Sequence, residues 1–282
     1  MNCAWQSYIN ILPPSIRLDA QQHQEKLIEI RLRINKPLEF VTVDGSIWSR
    51  KIAARLDLDH IINVSSKYSP WAASTIAKGY ITAPGGHRIG ICGETVIKDG
   101  YMSAIQYPTS LSVRVARDFP GISSGTNHMS GSILILGRPG AGKTTFLRDM
   151  IRNRSNSNPG CIAVVDERCE IFPYENGIAC FECGKRTDIL TGCPKTQGIC
   201  TLLKNMTPQT IAADEITSEE DCRALLDASW CGVKLICTAH AESRKDLLAR
   251  RIYKPLCDNR LFDWLIIINP DRTWTAERMT QP

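Results

Sequence analysis

The sequence predicts an α/β protein in two parts. A smaller α+β N-terminal domain, assigned to residues 1–125, precedes an α/β domain with a mostly parallel sheet at 126–282. Three observations carry this. The stretch from Asp118 to Ser132 reads DFPGISSGTNHMSGS, rich in Gly, Ser, Pro and Asn and without period, as a linker or loop should be. Before it lie short alternating strands broken by turn signals. After it, apolar runs of four to six residues alternate with longer helical segments, the pattern of parallel strands covered on both faces. A length of 282 residues suits about two domains.

In the first part, Ile28, Ile30, Leu32 and Ile34 alternate with Glu29, Arg31 and Arg33, a half-buried strand. Phe40–Val43 and Ile47–Trp48 flank Asp44-Gly45, a hairpin signal, and Val96-Ile97 and Tyr101 flank a second at Asp99-Gly100. Pro70–Lys78 suits one short helix. In the second part the strand candidates are Ile133–Leu136, Cys161–Val165, Thr210–Ala213, Lys234–Thr238 and Leu265–Ile268. A helix follows Ile216, with Thr217 and Glu220 as its capping box, Leu225 and Leu226 on its apolar face and Gly232 as its stop. Tyr174 to Gly198 reads as a long aperiodic loop, a length that usually signals function.

A net charge of +5, 43% hydrophobic and 22% charged residues exclude disordered and low-complexity classes. The mild charge permits an anionic partner without demanding a nucleic-acid groove. No apolar run reaches the roughly 18 residues of a spanning helix, and the N-terminus lacks a basic region followed by an apolar block. The expectation is a cytoplasmic protein that meets a membrane only through a partner. Twelve cysteines in that setting read as reduced thiols. Cys180 and Cys183 have zinc-ligand spacing, but Cys193 and Cys200 are too far apart to complete a ribbon, so metal binding there is the weaker reading.

The sharpest signal is Gly137-Arg138-Pro139-Gly140-Ala141-Gly142-Lys143-Thr144, which matches GxxxxGK followed by Ser or Thr at every fixed position. It follows a predicted strand and opens a predicted helix from Thr144 to Ile151, the context the motif needs. Glycines let backbone N–H groups converge on phosphate, and the helix N-terminus adds its positive end. Lys143 is expected to reach the β- and γ-phosphates of ATP, Thr144 to ligate Mg²⁺, and Thr145 to meet the α-phosphate. Acids end two later strands: Asp214-Glu215, and Asp166-Glu167-Arg168 with Glu170. An acid at a strand's carboxyl end shares the rim where ligands bind open α/β sheets. Asp214 suits the metal through water, and Glu215 or Glu167 suits activation of water. The first pair also reads as a helix N-cap, and the second as a surface ion pair with Arg168. His240 stands at another strand end beside Thr238, placed to sense the γ-phosphate, although a lone His is more often structural.

Several stretches together resemble one family: EIRLR at 29–33, YITAPGGHRIGICGE at 80–94, GRPGAGKTTFLRD at 137–149, VVDERCEI at 164–171, RTDILTGCPK at 186–195, IAADEI at 211–216 and TAHAES at 238–243. This is similar to the stage III sporulation protein AA family of endospore-forming bacteria, and through it to the ATPases of type II and type IV secretion and pilus systems. The resemblance implies a RecA-like P-loop NTPase domain. It also implies an acidic "Asp box" at Asp166, Glu167 and Glu170, a Walker B pair at Asp214-Glu215 and a "His box" at His240, its strand lying between the Walker A and Walker B strands. The secretion enzymes carry Gly-Glu where this chain has Asp-Glu, which leaves the base open between Glu215 and an Asp-box acid. The family further implies a homo-oligomeric ring, a hexamer, with Arg88, Arg114 and Arg117 as candidate arginines approaching nucleotide, a solvated surface role being the equal alternative for Arg117, and membrane proteins of the same sporulation-stage channel complex as partners.

A nucleic-acid-dependent ATPase is the alternative, with Arg31, Arg33, Lys36 and Arg50 as its basic residues. The chain lacks a dense Lys/Arg run interleaved with aromatics, which argues against nucleic acid as a partner. A third reading is a nucleotide-dependent scaffold without turnover; the intact acids argue against it.

Overall fold

The computed structural model describes residues 3–66, 76, 79–175 and 177–279. They form two compact units. One comprises the residues up to Asp118 with Pro173–Cys180, the other Phe119–Phe172 with the residues from Phe181 onward.

The first unit opens with two short helices, α1 (Trp5–Ile11) and α2 (Pro14–Gln22). Pro14 at the first turn is a favoured place, since its missing N–H has no helical partner there. The strands follow as β1 (Leu27–Arg33), β2 (Pro37–Thr42) and β3 (Gly45–Ile52), then helix α3 (Arg55–Ser65), then β4 (Tyr80–Ala83), β5 (His87–Lys98) and β6 (Tyr101–Arg114). They make one antiparallel sheet in the order β3-β2-β1-β6-β5-β4. Both expected hairpins are present. At the second, Asp99 and Gly100 take φ of 53° and 80°, the two positive values of the tight turn that matches strand twist. Ile30 and Leu32 of β1, Phe40 of β2, Ile89 of β5 and Val113 of β6 fill a core with Tyr8, Ile16 and Leu58 of the three helices. Those helices were not legible as such: they are short and weakly patterned, and packing on the sheet stabilises them. The helix expected at Pro70–Lys78 falls outside the described residues, Ile76 apart.

In the second unit, β7 (Ile133–Leu136) leads through the glycine loop to helix α4 (Lys143–Ser157), which runs beyond the expected end at Ile151. After β8 (Ile162–Asp166), a two-stranded ribbon, β9 (Tyr174–Glu175) and β10 (Ile178–Ala179), groups with the first unit. The chain continues through β11 (Thr187–Thr191), α5 (Lys195–Met206), β12 (Thr210–Ala213), α6 (Glu219–Trp230) and β13 (Lys234–Ala239). It ends with α7 (Arg244–Ala249), α8 (Lys254–Asp258), β14 (Trp264–Ile268) and β15 (Trp274–Arg278). The sheet order is β11-β8-β12-β13-β7-β14-β15, parallel except for β15. The central strands are buried on both faces. Leu134, Val165, Ala213 and Cys237 pack with Ile199 and Leu225 of α5 and α6. The alternate residues Ile135, Val164, Ala212 and Ile236 are equally buried, as are Leu147 and Met150 of α4.

Two expectations are corrected. The segment from Tyr174 to Gly198 is not an aperiodic loop, since it holds the ribbon, β11 and the start of α5. Every residue of β11 is only partly buried at the sheet edge, so the alternation a sequence reader needs is missing. The cap of α6 is Ser218 with Asp221, one residue later than Thr217 and Glu220. The Asp221 carboxylate takes the Thr217 and Ser218 N–H groups, while Ser218 Oγ takes that of Asp221. The earlier Thr217 is drawn in as a further donor to the same acid.

Candidate functional site

The rim formed by the carboxyl ends of β7, β13, β12 and β8 gathers the predicted chemistry of the second unit. Between β7 and α4, Gly140 and Gly142 hold φ of 77° and 100°. Nothing lies within 4 Å of where a Cβ would stand at either position, so the left-handed backbone itself, not crowding, requires glycine. Arg138 is tied to Glu242 at 2.7 Å. Pro139 and Ala141 complete the loop, and Thr145 is half-buried on the first turn of α4, where free N–H groups and the helix dipole favour phosphate.

Lys143 is buried and folds back over its own loop. Its Nζ donates to the carbonyls of Gly137 and Arg138, each at 2.9 Å, and to Nδ1 of His240 at 3.0 Å. Burial lowers its pKa, opposed by the charges of Asp214 and Glu215. Thr144 Oγ1 donates to Asp214 Oδ2 at 2.6 Å. Asp214 Oδ1 accepts at 2.5 Å from Thr238 Oγ1, and that oxygen accepts the Glu215 N–H at 2.7 Å. Glu215 takes φ of 56°, uncommon for a residue with a side chain. Its Oε1 meets His240 Nε2 and its Oε2 accepts from Arg168 Nη1, both at 2.6 Å. Burial would raise the Glu215 pKa. The bond from His240 and the charge of Arg168 outweigh it and hold the carboxyl below its ordinary range.

Asp166 ends β8 and is almost fully buried. Its two oxygens accept the N–H groups of Glu170 at 2.8 Å and Phe172 at 2.8 Å, so it anchors the turn that follows. Burial pushes its pKa to about 6 even against those bonds. Glu167 accepts from Lys195 Nζ at 3.0 Å, and Lys195 also reaches Asp221 at 3.4 Å. Asp166, Glu167, Asp214 and Glu215 line one small cleft with Arg168 and Lys195.

The set Lys143, Thr144, Asp214, Glu215 and His240 is thus one connected network, and Asp166 and Glu167 adjoin it. Sequence reading missed the roles of three members. Thr238 bridges Asp214 and Glu215, Arg168 pairs with Glu215, and Lys195 is a buried cation among carboxylates. The only signals for them are the short TAHAES, VVDER and CPK strings. Arg88 and Arg114 lie in the first unit, opposite each other on β5 and β6. Arg88 sits over the Tyr80 ring at 4.6 Å, and Arg114 donates to Glu29 at 3.1 Å. Arg117 donates to the carbonyls of Gln24 and Leu27. Among the described residues no group of His, Cys, Asp and Glu is clustered to hold a metal by itself.

The donor set suits a hydrated divalent cation. Thr144 donates its hydroxyl hydrogen bond to Asp214, which leaves the oxygen's lone pairs beside a carboxylate, and Mg²⁺ retains several waters in such sites. The loop suits phosphate, with a lysine held only by carbonyls and an imidazole.

Fold and site define a RecA-like P-loop NTPase domain with a mostly parallel sheet, preceded by a smaller α+β domain. The chain belongs to the family described as Sporulation stage III, protein AA, whose family model matches residues 6–276. It is 34% identical over 268 residues to Stage III sporulation protein AA of Bacillus subtilis (strain 168), covering 90% of this chain and 87% of that protein. Among solved structures it is similar to the Legionella pneumophila ATPase DotB, with a TM-score of 0.60 and 15% identity over 94% of this chain and 79% of the other. It is likewise similar to the pilus retraction motor PilT with bound ADP, with a TM-score of 0.61 and 13% identity over 92% and 81%. At these identities the two structures speak for the fold alone. Among the described residues no helix is long and apolar enough to cross a membrane.

Proposed function

We propose that this chain is a MgATP-hydrolysing motor ATPase of the secretion type, energising assembly or transport by a membrane channel complex during sporulation. The observation that carries the reading is the continuous network from the P-loop through His240 to Glu215 and through Thr144 to Asp214. In this reading Lys143 exchanges the Gly137 and Arg138 carbonyls for the β- and γ-phosphates. Thr144, and Asp214 through water, would hold Mg²⁺, which would supply neutralisation of phosphate charge. Glu215 takes the proton of the attacking water as the new bond to the γ-phosphorus forms and the bond to the β-phosphate oxygen breaks. Glu167 is the competing base. His240 senses the state of the γ-phosphate.

The likeness to DotB and PilT supports a motor fold, and family membership supports the sporulation setting. The reading extends to a homo-oligomeric ring, a hexamer, and to membrane proteins of the channel complex as partners. In it Arg88 and Arg114 serve nucleotide, for which Arg114 must leave Glu29. Phosphate release by the full chain, against Lys143→Ala, tests the chemistry: loss of ATP binding or turnover is expected, and full turnover in the variant sinks the assignment. Light scattering with and without ATP tests the ring, which a monomeric mass in both conditions overturns.

A further inference from the structure

A crevice of about 580 Å³ lies within the second unit, away from the nucleotide rim. Its size falls within the roughly 300–1,000 Å³ of small-ligand sites. Ile162, Thr210 and Lys234, the first residues of β8, β12 and β13, line it, whereas the P-loop and the acids follow strand carboxyl ends. Arg154 also lines it, in the last turn of α4. Lys143 begins that helix, so at about 1.5 Å per residue roughly 16 Å of helix separates the two.

The charge of this lining is one-sided. Arg154 and Lys234 supply it, His128 and the side-chain amides of Asn127 and Asn158 add polar groups, and no Asp or Glu lines the crevice. Arg154 is the informative residue. It is partly buried, its Nη2 donates to the Met129 carbonyl at 2.6 Å, and among the described residues no carboxylate pairs with it. Burial alone sets its pKa shift, which is downward. A guanidinium even partly withdrawn from water without a counter-charge is unfavourable. The Met129 carbonyl and the negative end of α4 offset it only with partial charges. The ammonium of Lys234, exposed at the crevice, has no acidic partner among the described residues either.

We infer that this crevice binds a small polyanion bearing phosphate or carboxylate groups, held by Arg154 and Lys234, with His128 and the two asparagines completing its hydrogen bonds. Such a ligand supplies the counter-charge that the fold leaves out.

Calorimetric titration of the full chain with pyrophosphate and, separately, citrate tests this, in a Lys143→Ala background that weakens the P-loop's own hold on phosphate. At least one probe is expected to bind at one site with a dissociation constant below about 1 mM. Arg154→Met is expected to weaken it by at least about tenfold, the scale of one charge-assisted hydrogen bond. Lys234→Ala, at an exposed position with no partner to lose, is expected to act in the same direction and guards against a folding defect in the first variant. Preference for pyrophosphate or for citrate identifies the anion as phosphate or carboxylate. Absence of binding by both probes, or binding that neither variant weakens, overturns the inference.

Discussion

Thr238 fastens both Asp214 and Glu215 with one hydroxyl, so Thr238→Val isolates the contribution of their placement. The residue is fully buried. Its Oγ1 donates to the Asp214 carboxylate and accepts the Glu215 N–H. A hydrogen bond to a charged group contributes about 1.5–3 kcal/mol and a neutral one about 0.5–1.5 kcal/mol, which together give about 2–4.5 kcal/mol. Asp214 and Glu215 retain some exposure, and water offsets part of the loss, so about 2 kcal/mol is expected. For a unit of this size that lowers Tm by about 4–8 °C.

The kinetic effect follows from the backbone. Glu215 holds its left-handed φ while its own N–H and that of Ile216 bond to the Thr238 hydroxyl and carbonyl. Freed of the first bond, Glu215 relaxes and its carboxylate leaves His240. Under the proposed function, kcat for phosphate release falls about 10- to 100-fold, or about 1.4–2.7 kcal/mol of barrier. KM for ATP changes less than kcat, because Lys143 and the glycine loop are untouched and Asp214 keeps its bond from Thr144. Thr238→Ser keeps the hydroxyl and restores most of both quantities. A Thr238→Val protein that melts within about 1 °C of the parent and turns over at the same kcat refutes the reasoning.

Glu215→Gln is expected to bind ATP without turning it over, as read by nucleotide binding beside phosphate release; wild-type rates would move the base to Glu167. Arg168→Ala removes a cationic contact that, beside the His240 hydrogen bond, holds the Glu215 pKa down. The Glu215 carboxylate is functional above its folded pKa and lost as pH falls through it, so the acid limb of the kcat/KM profile moves to higher pH in this variant; an unmoved limb separates Arg168 from Glu215. Asp166 has the opposite sign. Its folded pKa of about 6 lies above the ordinary carboxyl value. The folded state therefore binds its proton more tightly, and stability from this group is full below about pH 4 and lost as pH rises to about 6. Urea unfolding at pH 4 to 7 is expected to show that decline in the parent and to lose it in Asp166→Asn, while an identical slope in both assigns the decline elsewhere.

Much of this was legible because local rules and the global fold agree. The glycine loop, the two turn dipeptides and the five apolar runs each state their structure within about ten residues, and each is found where expected. The elements that escaped are those whose stability comes from outside their own sequence. Helices α1 and α2 are short and depend on Tyr8 and Ile16 reaching the sheet core. Strand β11 has no fully buried residue to set a period. The site divides along the same line. Lys143, Asp214 and His240 are strand- or loop-end residues with motif context. The partner of Arg168 is 47 positions away, and that of Thr238 is 24. Nothing in VVDER tells a reader that its arginine leaves the adjacent acids for Glu215. Parallel register does so, because β12 lies between β8 and β13 and brings three strand ends to one rim.

The position of His240 gives that rim its logic. A lysine ammonium has three protons and no lone pair, so at 3.0 Å from Nδ1 it can only donate. Nδ1 is therefore the accepting nitrogen, and the ring proton stands on Nε2, which donates to Glu215 Oε1 at 2.6 Å. One neutral imidazole thus reports the position of the P-loop lysine to the acid assigned as base. If phosphate draws Lys143 from the Gly137 and Arg138 carbonyls, Nδ1 loses its donor in the same movement and the hold of Nε2 on Glu215 is free to change. A base engaged by His240 and Arg168 while the lysine is folded back is poorly placed to take a proton from water. Under the proposed function, the arrangement ties competence of Glu215 to occupation of the P-loop, through a contact between residues 97 positions apart that the insertion of β13 between β12 and β7 makes possible.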